Sequence, residues 1–97
     1  FTAKIDKHMK NKNFYCIVLS KRYQGIRSLL VNRLNNKGLK TKRGQEYSYG
    51  VVDNVMSGIY CDENVEAELL ELAIEAGYSQ NQIEVFEQSF AKVTEAA

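Results

Sequence analysis

Ninety-seven residues fit one domain and leave little room for a second. With 44% hydrophobic and 26% charged residues the composition is that of a globular chain, and no stretch approaches the roughly 18 consecutive apolar residues of a membrane helix. The net charge of +1 conceals a split: residues 1–50 carry twelve Lys or Arg against two acids, and residues 51–97 one base against ten acids. That asymmetry favours a basic face that meets a polyanion; the alternative is two halves that attract each other within the fold.

Residues 1–13 are polar and lysine-rich with no apolar period, and read as a flexible basic arm. Its His8-Met9 dipeptide is either native sequence or a cloning junction with the natural start at Met9. A single helical domain then occupies residues 14–97. The run at 14–19 fits either a helical face (Phe14, Ile17, Val18, Lys21) or a strand; helix is preferred because little else in the chain offers a sheet to join. Over 24–37, Ile26, Leu29, Leu30, Arg33 and Leu34 make one helical stripe, and Gly38 suits the left-handed residue past its end. Gly44 lies centrally between short segments that could pair, which predicts a β-hairpin over 39–47. Ser48 is placed to cap a helix over 49–56 that buries Val52, Val55 and Met56 and stops at Gly58. Asp62, Glu63 and Asn64 introduce the next helix, with Val65, Leu69, Leu72 and Ala73 as its stripe, widened by Leu70 and Ile74, and Gly77 at its close. Ser79 and Gln82 form a capping-box pair for a last helix burying Ile83, Phe86, Phe90 and Val93. The expected fold is therefore all-α, about five helices, with a helix-turn-helix carrying a short β-hairpin between its two helices.

Catalytic chemistry finds little material. His8 is the lone histidine, and there is no Gly-rich phosphate loop, H-E-x-x-H or paired metal carboxylates. Cys16 and Cys61 stand far apart without a CxxC and read as ordinary reduced thiols. A non-enzymatic protein without cofactor or metal is expected.

The most specific string runs from Leu34 to Met56. Leu34, Asn35, Gly38, Leu39, Thr41, Gly44, Tyr47 and Ser48 match the pattern L-N-x-x-G-[LI]-x-T-x-x-G-x-x-[WY]-[ST], so that about a quarter of the chain resembles the DNA-binding segment of large serine recombinases. The recombinase catalytic domain is absent from this sequence. An overlapping stretch, with Val52, Val55, Met56, Gly58, Val65, Glu66, Leu69, Leu70, Leu72 and Ala73 at the matching positions, resembles small repressor-type helix-turn-helix proteins of phages and mobile elements.

These resemblances imply sequence-specific binding of double-stranded DNA by a prokaryotic, phage-like transcription regulator of the cytoplasm. On that reading helix 49–56 enters the major groove, with Tyr47, Ser48, Tyr49, Asp53 and Asn54 at its start or outer face and Asn54 able to read an adenine edge. Lys40, Lys42 and Arg43 would grip phosphates from the hairpin, and Arg27, Arg33 and Lys37 would add contacts from the preceding helix. Asp53 departs from the pattern, since an acid there serves only a cytosine amino group or an internal pair. Tyr47 and Tyr49 could equally pack under the hairpin. A homodimer through the C-terminal helix, with Phe86 and Phe90, would match paired half-sites. The rival expectation is a protein-interaction module that binds through its acidic C-terminal helices.

Overall fold

The computed structural model describes residues 11–59 and 61–96, with side chains through residue 90. Five helices follow one another, and no strand occurs among the described residues. Helix α1 combines a wide π-type stretch, Phe14–Leu19, with the α-helical turn Ser20–Arg22; α2 is Ile26–Asn36, α3 Tyr49–Met56, α4 Glu63–Glu75 and α5 Gln80–Ala96. The basic arm falls largely outside the described residues; of its end, Lys12 and Asn13 are already helical.

Phe14–Leu19 is a helix, but its buried face is not the one that a 3.6-residue period predicts. Phe14, Tyr15 and Leu19 are buried, whereas Ile17 and Lys21 are exposed. The Ser20 amide donates to the Tyr15 carbonyl, five residues back. This wider turn brings positions five apart into line where positions four apart would otherwise sit. At its start, Glu87 of α5 accepts the Phe14 amide (3.0 Å) and the Asn13 side-chain amide (2.9 Å), placing a carboxylate where helix amides are unsatisfied. Phe14 meets Tyr78 and Phe86 edge to face, at 5.1 and 5.7 Å between ring centroids.

The core joins these aromatics to Ile26, Leu30 and Leu34 of α2, Val52, Val55 and Met56 of α3, Val65, Leu69, Leu72 and Ala73 of α4, and Ile83 of α5. Ile74 stands in solvent and Leu70 is half-buried, so the α4 stripe is narrower than expected. Phe86 is half-buried and Phe90 more exposed. Helix ends follow local chemistry. The Ser48 hydroxyl accepts the Val51 amide, Asp62 accepts those of Asn64 and Val65, and Ser79 and Gln82 bond reciprocally. Helices α2, α3 and α4 each end in the paired six-to-one and five-to-two bonds of a Schellman motif, as in Leu39 N–H to Leu34 O and Gly38 N–H to Asn35 O. Gly38 takes φ +75°, a conformation that side chains with a Cβ rarely adopt.

The expected β-hairpin over 39–47 is absent. Its turn does form: Thr41 N–H reaches Gln45 O and Gly44 N–H reaches Thr41 O, both at 2.8 Å. The ladder stops there because α2 captures the groups that would extend it. Leu39 gives its amide to the α2 terminus (3.1 Å), and the Asn35 side chain accepts the Tyr47 amide through Oδ1 (2.9 Å) and donates Nδ2 to the Tyr47 carbonyl (3.0 Å). A side-chain amide with one donor and one acceptor thus replaces a partner strand.

Candidate nucleic-acid interface

Helix α2 packs against both α3 and α4, and these two contacts divide the basic residues between them. On the α4 side, Arg33 reaches Glu68 (2.9 Å), Glu71 (2.8 Å) and Glu75 (3.0 Å). Lys37 bonds Glu68 and, at 2.8 Å, Glu71. Helical spacing explains the match: Arg33 and the α2 C-cap Lys37 lie one turn apart, and 68, 71 and 75 line one face of α4. The Glu68 side chain is only 4% exposed, so its charge is stabilised almost wholly by these partners. Hydrogen bonds donated to Glu75 and Glu68 hold the Arg33 guanidinium firmly protonated, and those that Lys37 donates to Glu68 and Glu71 raise Lys37. Lys37 and Arg33 in turn hold Glu71 below the usual carboxylate range. Here the two halves attract each other within the fold, as the alternative reading of the charge split has it: they meet in an ion-pair network. A charge balance counts both partners of such a network as if each were free.

On the α3 side, Tyr49, Gly50, Asp53, Asn54 and Ser57 form one outward face, at helical spacing, opposite buried Val52, Val55 and Met56. Tyr49 is 57% exposed and Asn54 half-buried. Asp53 accepts the Arg27 Nε at 2.6 Å. The acid that departs from the base-reading pattern is thus paired internally, and Arg27 is brought to the edge of this face. Ser48 is exposed at the head of the face but spends its hydroxyl on the helix cap.

The connection over 37–48 carries Lys40, Lys42 and Arg43. Lys42 and Arg43 are exposed, and no carboxylate of the described residues lies within ion-pair distance of either. Among the described residues Lys40 pairs with Glu46, at 3.9 Å and largely solvated. Tyr47, by contrast, is 3% exposed. Its hydroxyl lies 2.9 Å from both carboxylate oxygens of Asp62, to which it donates, and accepts the Asn64 amide at 3.0 Å.

Of the eleven residues singled out in the sequence, Tyr49, Asp53, Asn54 and Arg27 share one face, and Lys40, Lys42 and Arg43 share one turn. Arg33 and Lys37 face α4, Tyr47 is packed beneath the turn, and Ser48 caps α3. Sequence reasoning named Asn35 only as a motif match and Asp62 and Asn64 only as the start of a helix, and so missed their roles beneath the turn. Glu68, which looks like any solvated acid, it missed altogether. Among the described residues no group of three or more His, Cys, Asp or Glu could hold a metal, and no helix is long and apolar enough to cross a membrane. Comparison with family models, with curated proteins and with solved structures found no match.

Proposed function

We propose that this chain binds double-stranded DNA, with the outer face of α3 in the major groove and the 40–45 turn on the phosphate backbone. The observation that carries the reading is the pair of unneutralised cations, Lys42 and Arg43, on an exposed turn directly ahead of a short capped helix with a solvent-facing polar and aromatic edge. Long cationic side chains on a turn suit phosphate oxygens, and Asn54 suits a base edge that both donates and accepts. Arg27, held by Asp53, borders the same face and adds a third cation.

The contact set is narrower than the one drawn from the sequence. Arg33, Lys37 and Tyr47 are committed to other partners, leaving Arg27, Lys40, Lys42 and Arg43 for the backbone and Tyr49 and Asn54 for the groove. The same network weakens the rival reading, because Glu68, Glu71 and Glu75 are engaged within the fold and not offered to a basic partner. The finer proposal is a cytoplasmic, non-catalytic regulator of phage or mobile-element type that reads paired half-sites as a homodimer. Phe86 is already used against Phe14 and stacks on Phe90, so, among the described residues, the exposed apolar residue of α5 left to meet a second copy is Val85; sedimentation as a monomer at binding concentrations would remove the dimer from the proposal.

The deciding experiment is selection of bound duplexes from a random pool, followed by titration of the selected and a random duplex across a salt series. Binding that weakens steeply with salt, with a preference for the selected duplex, supports the reading. Absence of binding at low salt overturns it.

A further inference from the structure

Tyr47 closes a small buried network at the foot of the cationic turn. The Lys40 carbonyl, just before the turn, accepts the Asn64 side-chain amide at 3.3 Å and lies 3.2 Å from the Tyr47 hydroxyl. Just after the turn, Tyr47 is held through its backbone by Asn35. The Asp62 carboxylate that receives the hydroxyl also caps α4, its Oδ1 accepting the Asn64 and Val65 amides at 2.9 and 3.2 Å. Asp62 is itself 5% exposed.

The turn has no ladder to orient it. Its internal bonds, among Thr41, Gly44 and Gln45, fix its shape but not its direction relative to α3. Direction is set where its two ends are anchored, and both ends meet at the Tyr47 hydroxyl. We infer that Tyr47 is the positioning residue of the cationic turn: its hydroxyl, with Asp62 and Asn64, ties residues 40–47 to the start of α4 and so fixes where Lys42 and Arg43 stand beside α3. Tyr47 touches no nucleic acid. The inference rests on the DNA-binding reading for its purpose, but the tie can be tested without DNA.

The variant is Tyr47→Phe, which keeps the ring in the core and removes the hydroxyl. Trypsin cleaves after Lys42 and Arg43, so its rate there reports how often the turn opens. Cleavage in the turn should quicken several-fold in Tyr47→Phe without DNA, with the helices resisting as before. On a random-sequence duplex the salt slope should fall toward that of the Lys42→Ala/Arg43→Ala protein, and adding Tyr47→Phe to that double variant should cost no further affinity. Wild-type cleavage rates overturn the inference. So does an equal loss of affinity in both backgrounds, which would mark general destabilisation or direct contact. Faster cleavage with DNA affinity unchanged in every variant would leave the tie standing and overturn the DNA-binding reading itself. Asn64→Ala, at a half-buried position, removes the amide that holds the Lys40 carbonyl and gives the same test should Tyr47→Phe fold poorly.

Discussion

Arg33 with Lys37 and Lys42 with Arg43 stand within a few residues of one another, carry the same charges and do opposite things. The first pair lies on a helix whose neighbour presents carboxylates at matching spacing, so its charge is consumed in holding α2 to α4. The second lies on an exposed turn with no carboxylate of the described residues in ion-pair reach, so its charge remains available to solvent or a polyanion. The difference is one of opposite surfaces, not of composition: whether a cation is structural or functional depends on what the fold places across from it.

The largest expected effect tests the floor shared by both regions. Val55 is fully buried under α3, and Val55→Asp would bury an unpaired charge at a cost of roughly 3 kcal/mol or more, enough to unfold a small domain. A folded variant with an unchanged melting temperature would remove α3 from the core. Next, Arg33→Ala strips the almost buried Glu68 of one partner and should cost about 1–3 kcal/mol of stability. Measured well below its melting temperature, it should keep wild-type affinity for a random duplex; a lost phosphate contact there would erase the contrast between the two cation pairs.

On the open side, Asn54→Ala should cost roughly 1–3 kcal/mol of binding to the selected duplex and far less on random DNA, a split that titration of both duplexes would show. Lys42→Ala/Arg43→Ala should leave the melting temperature alone and flatten the salt dependence by about two contacts' worth on either duplex. The smallest effect is that of pH on the closed side. Glu71 sits below its ordinary value of 4.5, so its share of stability is fully present above that value and is lost as pH falls through the lowered one. Lys37 is raised above 10.5, so its share is intact below that value and is lost as pH rises through the higher one. Glu71→Gln should therefore melt slightly below wild type at neutral pH, with the gap closing in acid.

Much of the scaffold was legible because it is written locally. The Ser48 cap, the Ser79–Gln82 box, the glycine after α2 and the core faces of α3 and most of α4 each follow from a few adjacent residues. What failed needed distant partners. The face of α1 was misread because a π-type turn shifts the period, and no local signal marks that turn. The hairpin was misread because Asn35, on the helix before it, satisfies the Tyr47 backbone in place of a strand. Of the candidate site, the residue types were found but not their division, since Arg33 and Lys37 could be assigned to α4 only once the packing of α2 was known.

The Schellman endings of α2, α3 and α4 bear on how quickly the chain finds its fold. Each closes over six residues, so three of the chain's stops can form without any long loop being drawn shut, and entropy opposes them little. Helical domains dominated by such short-range contacts fold fast. The turn over 40–47 is the exception: it is anchored by Asn35 behind it and by Asp62 and Asn64 ahead, and both sides must be in place before it settles. The cationic turn therefore takes its placement from the helices docked on either side of it.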